Sequence, residues 1–194
     1  DFKINKNDLD EKDISFIFNV CINTMRYSIH SKKILSSIAK KNLKNSQFVL
    51  LASAVTQIIY LNIKPYAVVN ESVEVAKSKG LYPPFINAVL KKVALNINNY
   101  KNTKILKKDL PIWLKDELKN ITNEELKIFL ENYFYEPSLH IVFKSKELVS
   151  KFIEDHKISS ENSIFINNKK KVSDLSGYDE GFWWVQNFSS MLPV

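Results

Sequence analysis

Two apolar stripes on either side of a tight turn constrain this chain more than any other feature. Residues 65–92 read PYAVVNESVEVAKSKGLYPPFINAVLKK. Apolar residues recur there at helical spacing, at Val69, Val73 and Ala76 before the turn and at Phe85, Val89 and Val93 after it. Gly80 ends the first helix and Pro83 begins the second, which predicts a helical hairpin. Because a hairpin cannot bury two stripes by itself, we expect further helices around it.

The composition favours a folded protein of the reducing cytoplasm. The chain has 194 residues, enough for one large domain or two small ones, and 45% of them are hydrophobic. Its single cysteine, Cys21, excludes an internal disulfide bond. The chain opens without Met on the polar run DFKINKNDLDEKD, which predicts a fragment without a signal peptide.

An uncharged segment, residues 45–63, predicts the central helix of a bundle. It has nearly the length of a membrane span, but polar side chains such as Gln47, Thr56 and Gln57 interrupt it. A buried helix in a globular domain is therefore the better interpretation, and we expect no membrane partner.

The charge distribution favours a polyanionic partner. The entire net charge of +7 arises in the first hundred residues, and no acidic residue occurs between Asp13 and Glu71. A cationic helical surface without acids attracts nucleic acid. On charge alone, an ordinary solvated lysine-rich surface remains an equal alternative. The candidate phosphate-binding residues are Arg26, Lys32, Lys33, Lys40, Lys41 and Lys44, with Lys91 and Lys92 as outer contacts.

The elements before and after the hairpin differ in type. Ile14, Ile17, Phe18, Cys21, Met25 and Ile29 predict a first helix, and Ser31 is a candidate N-cap of a second one. The Asn- and Lys-rich residues 96–108 predict a domain boundary. Beyond it we expect a small α+β domain.

Specific signals define the elements of this second part. They are Pro111 in the first turn of a helix, a capping box of Thr122 and Glu125, strands at 139–143, 163–166 and 182–185, a helix capped by Ser145 that carries Phe152, and a turn at 167–168. In the last strand, one of Trp183 and Trp184 should face the core.

The hairpin resembles the antitermination factor NusB family. That family shows a pattern close to N-E-x-V-E-x-A-K followed by F-[VI]-N-x-V-L. The chain has NESVEVAK at 70–77 and FINAVL at 85–90. Most of these residues are interpreted as structural, and Asn87 is expected to satisfy a buried backbone group.

The continuation is similar to the Sun/RsmB family of ribosomal RNA cytosine-5 methyltransferases, which carry a NusB-like domain at the N-terminus. LPIWL at 110–114, EPSLH at 136–140 and LSGYDEGFWWVQN at 175–187 with Leu192-Pro193 match its P-x-W-L, P-x-L and G-x-W-x-V-Q-D elements. Asn187 replaces the usual Asp, and His140 stands where Asp or Arg is common.

This resemblance implies a mainly α fold: a NusB-like RNA-binding bundle (1–100), an α+β linker domain (101–180) and the first residues of a Rossmann-like catalytic domain (181–194). It implies a parent enzyme that uses S-adenosylmethionine, and two cysteines, to methylate small-subunit ribosomal RNA. With three glycines and only Cys21, the present residues should be inactive, and no catalytic, cofactor-binding or metal-binding residue is expected here. The alternative is a non-enzymatic antitermination module that binds RNA and protein.

Overall fold

The computed structural model describes residues 9–39, 42–151, 157–166 and 172–191. The chain divides into two compact units, Asp1–Phe134 and Tyr135–Val194. The first unit contains the helices α1 Glu11–Arg26, α2 Ser28–Ile38, α3 Asn45–Ile59, α4 Pro65–Ser78, α5 Pro83–Leu95, α6 Ile97–Lys101, α7 Ile112–Glu117 and α8 Asn123–Asn132. The second contains β1 Leu139–Phe143, α9 Lys146–Ser150, β2 Lys157–Ser160, β3 Ser163–Ile166 and β4 Trp183–Val185. The prediction of a mainly helical chain with a smaller mixed part is confirmed.

Helix α3 lies at the centre of the first unit. It packs against α1, α2, α4 and α5, and its side chains Leu51 and Val55 have no exposed surface. The buried side of such a helix excludes charge, since burial of an unpaired charge costs several kcal/mol. The position of α3 therefore explains the absence of charge among its buried residues. Within the described residues, no helix has both the length and the hydropathy that a membrane crossing requires.

Helices α4 and α5 form the predicted hairpin around a glycine-capped turn. Gly80 adopts φ +63°, and its N–H donates to the Lys77 carbonyl at 3.2 Å. The Leu81 N–H donates to the Ala76 carbonyl at 2.8 Å, which completes a Schellman motif. The buried face of α4 is rotated from the predicted stripe. Val73 is only half-buried, while the core takes Val68, Val69, Ser72 and Ala76.

The predicted N-cap at Ser31 is wrong. Helix α2 begins at Ser28, directly after α1, and Tyr27 is the one residue between the two helices. Ser31 lies inside α2 with no exposed surface, and its N–H donates to the Tyr27 carbonyl at 2.8 Å. The short break at Tyr27 has no sequence signal, since neither Pro nor Gly marks it.

Residues 101–134 pack against the helices of the first unit through a cluster of aromatic rings and through an ion pair between Lys33 and Asp109. Tyr27 stacks on Tyr60, with ring centroids 3.5 Å apart, and on Phe134 at 5.7 Å. Ile105 and Leu110 are buried. The compact units thus divide after Phe134, later than the boundary expected near residue 100. Where independently folding domains begin and end stays a prediction.

The second unit is a small antiparallel sheet in the order β2-β3-β1-β4. Strand β1 occupies its predicted bounds and pairs with β3 and β4. Trp183 is buried and its Nε1 donates to the Ser176 carbonyl at 2.9 Å, whereas Trp184 is exposed, as the alternation predicts. Strand β2 was not predicted. Because β4 pairs with β1, the sheet includes residues that we expected to begin a further domain.

Several predicted signals have clear outcomes. Thr122 and Glu125 form the capping box: the Glu125 N–H donates to Thr122 Oγ1, and the Thr122 N–H donates to Glu125 Oε2 at 2.7 Å. Pro111 is the N-cap of α7 and not a residue of its first turn. Ser145 is the N-cap residue of α9, but its side chain makes no capping hydrogen bond to the helix. Phe152 and the turn at 167–168 lie outside the described residues.

His30 is a buried histidine without a well-formed hydrogen bond. It is 2% exposed, and its ring lies 5.7 Å from that of Tyr60 and 5.2 Å from that of Phe134. Neither ring nitrogen has a partner of standard geometry. Burial lowers the pKa of His30 below its ordinary value and the charge of Lys33 adds to this effect, while the Thr103 backbone opposes it.

We expect acid to destabilise the first unit through His30. The pKa of His30 in the folded state lies below its ordinary value of 6.5. At a pH between the folded-state pKa and 6.5, the unfolded chain binds a proton that the folded chain does not bind. The free energy of unfolding therefore decreases as pH falls through 6.5 toward the folded-state pKa. Urea unfolding followed by circular dichroism across this range measures it. A His30→Gln variant should show a shallower pH dependence, and equal dependence in both proteins would contradict this assignment.

Candidate nucleic-acid interface

The structure places the described candidates for phosphate binding on three helices and at the N-cap of a fourth. Arg26 lies in the last turn of α1, Lys32 and Lys33 lie in α2, Lys44 precedes α3, and Lys91 and Lys92 lie in α5. Lys40 and Lys41 lie outside the described residues. Lys32, Lys44, Lys91 and Lys92 are exposed, so their ammonium groups are accessible to phosphate. Whether these residues bind RNA stays a prediction.

Arg26 and Lys33 differ from the other candidates because they already bond protein groups. Arg26 Nη1 donates to Asn23 Oδ1 at 2.8 Å. Lys33 Nζ lies 2.6 Å from Asp109 Oδ2 and donates to the Lys104 carbonyl at 2.8 Å. The Lys33 side chain is only 27% exposed. Lys33 therefore holds a neighbouring segment of the protein in place, and the acid-free window gave no sign of this because its partner lies far along the chain.

That neighbouring segment is itself lysine-rich. Lys104, Lys107 and Lys108 are exposed, and Lys115 Nζ donates to the Lys108 carbonyl at 2.8 Å. We name the set Lys33, Lys104, Lys107, Lys108, Lys115 and Asp109 the Asp109 cluster. It combines five cations with one acid, so it keeps a net positive charge.

Asp109 remains ionised within this cluster. Partial burial acts to raise its pKa, but the hydrogen bonds from Lys33 and from the Leu106 N–H, with the charges of Lys33 and Lys108, outweigh burial and lower the pKa. The Leu106 N–H donates to Asp109 Oδ2 at 2.9 Å. Asp109 thus closes the turn at 106–109 and anchors it to α2.

Lys104, Lys107 and Lys108 were not predicted as contacts, because they fall in the Asn- and Lys-rich stretch that was interpreted as a domain boundary. The density of lysines, at Lys101, Lys104, Lys107 and Lys108, is the signal that could have identified a cationic surface. It was not decisive, since lysines are equally common in linkers.

The described residues offer no evident centre for covalent chemistry. Cys21 is half-buried in α1. No three His, Cys, Asp or Glu side chains among the described residues could together hold a metal ion. Gly80, Gly177 and Gly181 all lie in turns with positive φ, and none belongs to a strand-to-helix loop of the kind that holds S-adenosylmethionine. These residues do not fit that cofactor.

The fold of this chain is similar to that of a solved structure. No curated protein matches the chain significantly. The crystal structure of PH0851 is similar over 95% of this chain, with a TM-score of 0.51 and 14% sequence identity. The chain spans 46% of the length of that structure. Because the sequence identity is low, the likeness concerns the fold alone.

The family model described as the NusB family matches residues 1–95. This match includes the α4–α5 hairpin, whose motifs predicted it, and it ends at the last residue of α5. Residues 1–95 are therefore a NusB family domain.

Proposed function

We propose that the NusB domain of this protein, with the Asp109 cluster beside it, binds RNA through phosphate contacts. The observation that carries the proposal is the cluster itself: five lysines against a single acid, fixed to α2 by the Lys33–Asp109 contact. The acid-free stretch between Asp13 and Glu71 supports the same partner. Contacts of this type position an RNA strand and read little of its sequence.

We further propose that this RNA is ribosomal and that the chain is the substrate-positioning part of a Sun/RsmB-type cytosine-5 methyltransferase. The support is the resemblance of residues 110–114, 136–140 and 175–187. Two of these motifs meet in the sheet, where His140 Nδ1 lies 2.6 Å from the Gln186 carbonyl oxygen. Strand β4 is an edge strand with Trp184 and Val185 exposed, a surface suited to packing against another domain.

The second candidate is a non-enzymatic antitermination module. The extent of the family match favours it, because the match covers only the NusB domain. Methyl transfer discriminates between the two candidates. For the first, we expect the full gene product to transfer a methyl group from S-adenosylmethionine to cytosine C5 in small-subunit ribosomal RNA. Bisulfite sequencing detects this product, because 5-methylcytosine resists deamination. RNA binding without transfer would favour the antitermination module.

Removing charge from the Asp109 cluster should weaken RNA binding in a salt-dependent way. The slope of log K against log salt is negative for phosphate contacts. We expect the combined variant Lys104→Gln, Lys107→Gln, Lys108→Gln to reduce its magnitude by about 2, since each lost phosphate contact on a single strand contributes about 0.7. Filter binding with single-stranded ribosomal RNA across a salt series measures the slope.

A matched control separates the cluster from net charge. The variant Lys12→Gln, Lys79→Gln, Lys127→Gln removes the same charge from exposed positions elsewhere in the first unit. Its slope should stay close to that of the unmodified protein. Equal slopes for the two variants would show that the Asp109 cluster is not the contact surface.

Neutralising Asp109 should have opposite effects on binding and on stability. In Asp109→Asn the ammonium of Lys33 loses its ion pair and becomes available to phosphate. The magnitude of the slope of log K against log salt should therefore increase by about 0.7. Unfolding should become easier by about 1 kcal/mol, because a charge-assisted hydrogen bond is lost. Filter binding and urea unfolding measure the two effects. A weaker affinity for RNA would mean that the anchored turn matters more than the free cation.

A further inference from the structure

A groove between α4 and α5 has the features of a binding site for one nucleotide. Its volume is about 520 Å³, within the range of about 300–1,000 Å³ that is usual for ligand sites. Val69 and the half-buried Val73 and Ala94 provide an apolar surface. No residue of the Asp109 cluster lines this groove. Of the phosphate-binding residues predicted from the sequence, Lys91 lines it.

Two side-chain amides in the groove are available to a ligand. Asn70 is exposed and Asn87 is half-buried, and both line the groove. Neither amide makes a hydrogen bond to any part of the chain that the structure describes, so the expected structural role of Asn87 has no support. Each amide offers two donors and one acceptor, the combination that pairs with the edge of a nucleobase.

An aromatic ring and a cation lie beside these amides. Tyr66, in the first turn of α4, lines the groove and is 67% exposed. An exposed ring of this kind is a stacking platform for an unpaired base. Lys91 is exposed and has no ion-pair partner among the described residues. It can meet the phosphate of a nucleotide whose base lies in the groove.

The remaining charge of the groove is compatible with this ligand. Glu74 lines the groove, but its Oε1 lies 2.6 Å from Lys77 Nζ, which offsets its charge. A carboxylate at this position can also accept a hydrogen bond from an exocyclic amino group of a base. The net charge of +7 disfavours a cationic peptide as the occupant.

We infer that the α4–α5 groove binds a single unpaired nucleotide of an RNA strand: Tyr66 stacks on the base, Asn70 and Asn87 hydrogen-bond its edge, and Lys91 contacts its phosphate. The inference rests on the proposed RNA binding and adds a base-dependent contact to it. Phosphate contacts alone cannot supply such a contact.

Substitution of Tyr66 tests this inference in the full chain. With a short fluorescein-labelled single-stranded RNA, we expect Tyr66→Ala to raise Kd about tenfold by loss of one stacking contact. The salt slope should not change, since no charge is removed. Tyr66→Phe should keep the affinity. Tyr82→Ala is the matched control, because Tyr82 is 66% exposed and lies outside the groove. Circular dichroism of each variant verifies its fold.

Two further probes identify the ligand. An abasic strand of the same length should bind the unmodified protein and Tyr66→Ala equally. Free AMP or CMP should compete only at concentrations far above those of the strand. Equal losses for Tyr66→Ala and Tyr82→Ala, or tighter binding of a mononucleotide or a peptide than of RNA, would overturn the inference. Failure of the proposed phosphate surface is a separate result, since it appears as an unaltered salt slope in the lysine variants.

Discussion

Burial of the uncharged helix α3 is the constraint on which the first unit depends. Helices α1, α2, α4, α5 and α6 pack against it, and its inner side chains are fully excluded from solvent. Each buried aliphatic side chain contributes about 1.5–3 kcal/mol relative to an exposed one. The buried side of α3 excludes charge, and the described lysines of this region, such as Lys32, Lys33 and Lys44, lie outside α3. An apolar centre is thus accompanied by lysines on other elements, and the stretch between Asp13 and Glu71 adds no acidic residue to them.

The helical hairpin and the sheet differ in how far the sequence predicts them. Spacing and turn residues were sufficient for α4, α5 and β1, because each has a strong local signal. The break at Tyr27 was missed, since tertiary stacking on Tyr60 and Phe134 stabilises it and no local residue marks it. Strand β2 was missed for a related reason: its sequence, KISS, is too short and polar to be recognised without its partner β3.

The candidate interface was predicted only in part, and distance along the chain explains the difference. The charges of α2 were evident, but the role of Lys33 depends on Asp109, which lies 76 residues further on. No pattern within α2 indicates that partner. The Lys33–Asp109 contact also fixes the segment that carries Lys104, Lys107 and Lys108 to α2. Sequence composition alone predicts that this segment is a linker. Conversely, Asn70 and Asn87 of the α4–α5 groove belong to motifs whose residues were interpreted mostly as structural.

The turn at Gly80 has a consequence for sequence change in the hairpin. A methyl group added there would meet no atom within 4 Å, so the position is spacious, yet its φ of +63° disfavours every branched L-residue. Chirality and not volume limits this site. Asparagine, which tolerates left-handed geometry, is therefore the substitution that evolution or a designer could introduce with least disturbance.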